Sequence, residues 1–147
     1  MATKLLRLID ACCEARDNPG FQPLNSVTFC NQAVSYVAER MGYKKFLGLQ
    51  ANDIFDLVSK EDDWLKINPE VAQAHANSGA LVIAAWKNPG GHGHVATVRP
   101  GEFAASAKWK TDRVPKVLNI GKDVFIGKGA NYAFSETPSY FVLKESL

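Results

Sequence analysis

The sequence predicts an α+β fold, with helices from the first half of the chain packed on an antiparallel sheet from the second half. Apolar residues recur at helical spacing as far as Gly79, whereas short apolar runs bounded by glycine and proline follow it. A chain of 147 residues suits one compact domain, and a second domain is not expected. We therefore expect residues 1–147 to form a single domain whose central sheet has about five or six strands.

The composition narrows the classes of function. With 46% hydrophobic and 22% charged residues the chain is typical of a globular protein, and its net charge of +2 argues against nucleic acid binding. No apolar run is long enough to cross a membrane, and Arg7 and Asp10 interrupt the N-terminal one, so no secretory signal peptide is predicted. Because three cysteines cannot all pair and Cys12 is adjacent to Cys13, we expect free thiols and synthesis in the cytoplasm.

Four helices are predicted in order along the first half of the chain. The first carries apolar residues at helical spacing over 5–13 and ends near Arg16, before a turn at 18–20. The second begins at Cys30. Two shorter helices follow, over 52–58 and 68–79, and the latter has a proline in its first turn and a glycine at its end.

The helix that begins at Cys30 carries the first candidate functional residue. The thiol shares its buried face with five apolar residues at helical spacing: Ala33, Val34, Val37, Ala38 and Met41. Ser26 or Thr28 is expected to cap this helix, which places the thiol in the first turn. Because unpaired backbone N–H groups and the helix dipole favour a thiolate there, the sequence predicts a reactive cysteine.

Strands are predicted in the second half, with residues 106–112 as an irregular polar crossing. They cover Ala80–Trp86, His94–Arg99, Val114–Ile120, Asp123–Ile126 and Tyr140–Lys144. In the second of these strands the alternation places His94, Ala96 and Val98 on one face. We expect that face to pack on the Cys30 helix, so that the imidazole and the thiol meet.

A thiol beside an imidazole indicates nucleophilic chemistry on an amide carbonyl, with His94 as general base. Such a histidine needs a polar partner to hold its ring, and Asn119 on the neighbouring strand is the first candidate. Glu136 and Asp123 are weaker candidates for that role. For the oxyanion, the backbone N–H of Cys30 is available, and a side-chain amide is expected from Asn25 or Gln22.

Two further residues are expected at the rim of the cleft. His92 lies two residues before His94 and is expected to touch substrate, although the pair also suggests a metal site. That site is not favoured, because no further ligand follows at short spacing, and no cofactor is predicted. Trp109 lies between two lysines and is expected to stack on sugar or peptide, unless it simply covers the sheet.

The order of these elements resembles the NlpC-type and CHAP cell-wall peptidases, which are papain-like cysteine hydrolases. Cys30 is followed by Val34, Tyr36, Val37 and Gly42, and the segment 79–83 leads to Gly93-His94-Val95-Ala96-Thr97-Val98. The resemblance covers residues 25–120. It implies a papain-like domain that cleaves peptide or amide bonds of peptidoglycan, with Cys30 as nucleophile, His94 as base and Asn119 as the orienting residue.

The resemblance also implies a bacterial or phage origin and a route to the cell wall. Without a Sec-type signal, delivery by a contractile secretion apparatus, a phage tail, a lysis system or release after lysis is expected. A secreted toxin of this class would be paired with an inhibitor protein in the producing cell. Two alternatives stay open: a binding module that keeps the fold without its chemistry, and a cysteine hydrolase or acyltransferase acting on a non-wall protein or small amide.

Overall fold

The fold is described from a computed structural model that covers residues 3–24, 28–60 and 62–147. Its helices are α1 (Lys4–Asp17), α2 (Cys30–Arg40), α3 (Ala51–Val58) and α4 (Pro69–Asn77). Its strands are β1 (Trp64–Ile67), β2 (Val82–Trp86), β3 (His94–Val98), β4 (Ala104–Ser106), β5 (Thr111–Val114), β6 (Lys116–Asn119), β7 (Phe125–Gly129) and β8 (Ser139–Leu143). No helix in these ranges is long and apolar enough to cross a membrane.

The predicted α+β class is confirmed, with one antiparallel sheet of six strands in the order β1-β8-β2-β3-β6-β7. The first strand of this sheet, β1, was not predicted, because its four residues are too few to establish alternation. The predicted strand 114–120 is divided at Pro115, which has no N–H to donate to a ladder. The predicted irregular crossing over 106–112 instead contributes to a separate hairpin of β4 and β5.

Side chains cap the N-termini of α1 and α4, whereas α2 has no side-chain cap. The Thr3 hydroxyl accepts from the Leu6 N–H at the start of α1, and the Asn68 amide oxygen accepts from the Val71 N–H at the start of α4. In α2 the residue before the helix is Phe29, and no side chain caps it. The predicted Thr28 cap is therefore wrong, and Ser26 lies outside the described residues.

The two faces of the sheet carry separate hydrophobic clusters. On one face, α1, α2 and α3 pack against Leu81, Ile83, Val95 and other strand residues, and Cys30 belongs to this cluster. On the other face, α4 and the β4–β5 hairpin pack with a cluster that contains Ala96 and Val98. The expectation that Ala96 and Val98 face the Cys30 helix is therefore wrong, because Val95 provides that contact.

Candidate active site

Cys30 is the first residue of α2 and lines a cleft of about 580 Å³. The residue is 8% exposed and belongs to the hydrophobic core, yet it also lines the cleft. The start of α3 forms one wall of this cleft, and the loop of residues 91–93 forms another. A cleft of this volume lies within the range of about 300–1,000 Å³ typical of small-molecule sites.

Burial dominates the electrostatics of the Cys30 thiol. Removal from water raises its pKa, because the charged thiolate loses its solvation. Backbone N–H groups of Val95, Asn31 and Cys30 itself face the sulfur and lower the pKa, but by less than burial raises it. The predicted thiolate-favouring groups at the helix start are thus present, yet the resting thiol is neutral at pH 7.

His94 is held by Asn119, as the sequence predicted. The His94 Nε2 atom lies 2.6 Å from the Asn119 Oδ1 atom. The Asn119 Nδ2 group donates to the backbone oxygen of Asp123 at 2.8 Å, and because that oxygen can only accept, the amide orientation is determined. Nε2 must therefore donate its hydrogen to Oδ1, which leaves the lone pair of the neutral imidazole on Nδ1.

The surroundings of His94 keep its ring neutral. Burial lowers its pKa, and the hydrogen bond to Asn119 raises the pKa by a smaller amount. The ring also meets Phe134 in an edge-to-face contact, with 4.8 Å between the ring centroids. A neutral imidazole with a free lone pair is the form of histidine that accepts a proton.

The structure brings the Cys30 sulfur to the first peptide of β3, next to His94 in the chain. The Val95 N–H that faces the Cys30 sulfur belongs to the peptide that joins His94 to Val95. Within the described ranges no hydrogen bond links the thiol to the imidazole, and Phe134, which contacts the His94 ring, belongs to the cluster on the other face of the sheet. The resting arrangement is therefore a neutral thiol on a main-chain amide and a neutral, oriented histidine, with no hydrogen bond between them in the described ranges.

The other predicted site residues have different placements. His92 lines the cleft, as expected of a rim residue. Both hydrogens of the Gln22 amide are donated to backbone oxygens, those of Arg16 in the last turn of α1 and of Asn18 just after it. This conformation leaves Gln22 no donor for an oxyanion. Asn25 lies outside the described residues.

Trp109 lies away from the cleft. It packs against the cluster on the other face of the sheet, and its backbone N–H donates to the Ser106 hydroxyl in the turn between β4 and β5. The structure thus gives Trp109 the covering role that the sequence left open. Of the weaker partners proposed for His94, Glu136 is exposed, and Asp123 contributes its backbone oxygen to Asn119.

Asn52 is a cleft residue that the sequence did not indicate. From α3 its amide donates to the backbone oxygens of Asn88 and Gly91, at 2.8 and 3.0 Å, and accepts from the Asn88 N–H at 3.0 Å. These atoms belong to the loop 87–93 that leads into His94. The partners of Asn52 are backbone atoms that lie far from it in the sequence, so no sequence pattern indicates these hydrogen bonds. Asn52 itself lies in the short helix that was predicted.

Replacement of Asn52 by alanine is expected to loosen the loop 87–93. The change removes three hydrogen bonds and leaves partly buried main-chain groups unpaired, at a cost of about 1–3 kcal/mol. Hydrogen exchange measured by mass spectrometry is expected to show at least about tenfold faster exchange over residues 88–93. Asn77→Ala is the matched control, because Asn77 bridges Gly101 in the same way on the other face. Equal acceleration in both variants would contradict the assignment.

The chain matches no family model, and no curated protein is significantly similar to it in sequence. The described residues also contain no group of three or more His, Cys, Asp or Glu side chains placed to hold a metal ion.

Proposed function

We propose that this protein is a papain-like cysteine hydrolase that cleaves amide bonds in the peptides of bacterial peptidoglycan. The observation that carries the proposal is the hydrogen bond between His94 Nε2 and Asn119 Oδ1, which leaves Nδ1 as the basic atom. Cys30 adds a nucleophile at a helix start, in contact with a cleft. The resemblance of these segments to NlpC-type and CHAP peptidases supplies the substrate class.

The reaction starts from neutral partners. The Cys30 side chain turns from the Val95 amide toward His94, and Nδ1 takes the thiol proton as the sulfur attacks the carbonyl carbon. Backbone N–H groups at the start of α2 stabilise the oxyanion that forms. The C–N bond then breaks, the leaving amine takes the proton from His94, and a thioester remains. Water, deprotonated by His94, hydrolyses the thioester and regenerates the thiol.

Digestion of purified peptidoglycan tests this function. We expect the wild-type protein to release soluble fragments whose masses show one added water per cut and a new amine and carboxyl group. Mass spectrometry identifies the bond, and Cys30→Ala protein is the blank. If peptidoglycan from several wall chemotypes stays intact after prolonged incubation with folded protein, the proposal is contradicted. Access to the wall by a non-Sec route, and an inhibitor protein in the producing cell, belong to the same proposal.

One observation favours a second candidate, a binding module with the same fold. The Cys30 thiol has a raised pKa and contacts a main-chain amide instead of the imidazole, which suits an inert core cysteine. A binding module would sediment with insoluble peptidoglycan and release no fragments. The same samples therefore distinguish the two functions, when the pellet is analysed beside the supernatant.

A further inference from the structure

A second groove continues from the candidate active-site cleft. It has a volume of about 450 Å³ and shares Asn31 and Gln50 with that cleft. Asn31 follows Cys30 directly in α2, and its amide donates to the Leu49 backbone oxygen at 2.9 Å. This hydrogen bond ties α2 to the segment before α3. A ligand seated in the second groove would thus lie beside the residue next to the nucleophile.

The lining of the second groove combines aromatic rings with neutral polar side chains. Phe21 and Tyr36 pack edge to face, with 5.8 Å between their ring centroids. Gln32 and Ser35 line the groove beside them. Aromatic faces attract the C–H surface of a ring, while amides and hydroxyls serve as both donors and acceptors. This combination suits a ligand with an apolar ring face and many hydroxyl or amide groups.

The charges of the groove argue against an anionic ligand. Among the described residues that line it, Glu39 is the charged one, and neither lysine nor arginine contributes. A phosphate or a free carboxylate is normally met by arginine, lysine or a helix start aimed at it. A neutral ligand fits better, and in peptidoglycan the neutral, ring-bearing part is the N-acetylated amino sugar of the glycan strand.

We propose that the groove lined by Phe21, Gln32 and Tyr36 binds an N-acetylated pyranose ring. As a statement about catalysis this rests on the proposed function, because the sugar then belongs to the molecule whose amide bond Cys30 attacks. The preferred substrate is accordingly a peptide still attached to glycan, and free stem peptides are poorer substrates. Sugar binding itself does not depend on a reactive cysteine.

A binding experiment on Cys30→Ala protein tests the groove without catalysis. The probe is the linear trimer of N-acetylglucosamine, titrated by calorimetry and by amide NMR shifts. We expect shifts at residues of the groove, and a dissociation constant about five- to tenfold weaker in Phe21→Leu and Gln32→Ala. Phe103→Leu is the matched control, since Phe103 is a partly exposed phenylalanine that lines a cavity between α4 and the β4–β5 hairpin. Its dissociation constant should not change.

Each outcome decides the proposal. Trimer binding that is weakened by the groove variants and unchanged by the control supports it, whether or not peptidoglycan is cut. The proposal would be overturned if the folded protein showed no amide NMR shift changes at the highest trimer concentration that dissolves. It would also be overturned if Phe103→Leu weakened trimer binding as much as the groove variants do. Sugar binding without cleavage would refute the hydrolase alone, whereas cleavage without sugar binding would refute the groove alone. Circular dichroism of each variant verifies that the fold is retained.

Discussion

Replacement of Cys30 by alanine is expected to abolish peptidoglycan cleavage, with a loss of at least about a thousandfold in rate. The thiol is the sole nucleophile in the proposed reaction, and the cleft, the helix start and the His94–Asn119 pair stay in place without it. His94→Ala is expected to cost a similar factor, because His94 takes the thiol proton in the proposed reaction. Release of soluble fragments over time measures both.

The double variant tests whether the two residues act as one unit. Residues of one catalytic unit are strongly non-additive, so Cys30→Ala with His94→Ala should be no slower than either single variant. Cys13→Ala is the control, because Cys13 is a partly buried cysteine of α1 with no role in the proposed reaction. The Cys13→Ala protein should retain full activity. A Cys30→Ala protein that still cleaves peptidoglycan at more than about a tenth of the wild-type rate would contradict the role of Cys30 as nucleophile.

Alkylation tests the same pair without a substrate. Because the pKa of Cys30 is raised by burial, little thiolate exists at pH 7, and reaction depends on removal of the proton by His94. We expect the rate of Cys30 alkylation at pH 7 to fall about tenfold or more in His94→Ala, relative to Cys13 in the same molecule. Equal rates in the two proteins would show that His94 does not serve the thiol.

Replacement of Asn119 by leucine is expected to reduce activity about ten- to hundredfold and to destabilise the fold. Asn119 is 3% exposed and bonds both His94 and the Asp123 backbone oxygen, so leucine removes the partner of two partly buried polar groups. Each unpaired group costs about 1–3 kcal/mol. The histidine also loses the partner that selects its tautomer. Activity and urea unfolding measure the two effects separately.

The pH profile separates positioning from simple destabilisation. His94 acts as a base only when neutral, so activity is lost as the pH falls through its pKa, which burial has lowered below 6.5. The Asn119 hydrogen bond raises that pKa, so Asn119→Leu should move the acidic limb to lower pH. Asn119→Asp should move it to higher pH, because a carboxylate stabilises the imidazolium. If the acidic limb lies at the same pH in the wild type and in both variants, the proposed action of Asn119 on His94 is contradicted.

Much of the fold follows from local signals. The Pro69 turn, the helical spacing around Cys30 and the apolar run before Trp86 each describe a segment whose structure depends on its own residues. The segments that were missed lack such signals. The strand at Trp64 is four residues long and pairs with β8, which is distant in the chain. The hairpin around Ser106 pairs locally, but its residues are largely polar and lack the apolar alternation that indicates a strand.

The candidate site was predicted in part. The pairing of His94 with Asn119 agrees with the structure, because neighbouring antiparallel strands bring such residues together. The face of β3 that meets Cys30 was predicted wrongly. Alternation determines which residues share a face, but both faces of this strand are apolar and both are covered, so the sequence contains no cue to which helices cover each one.

The sequence by itself determined the types of most elements and the residues that carry chemistry: a cysteine at a helix start, a histidine at a strand start, and an asparagine one strand later. Only the tertiary structure decided the state of that cysteine. The same N–H groups that favour a thiolate are present, yet burial of the thiol in the hydrophobic cluster outweighs them, because the cost of desolvating a charge depends on everything packed around it. The start of one helix places a thiol among N–H groups that lower its pKa, whereas the whole fold determines the burial that raises it.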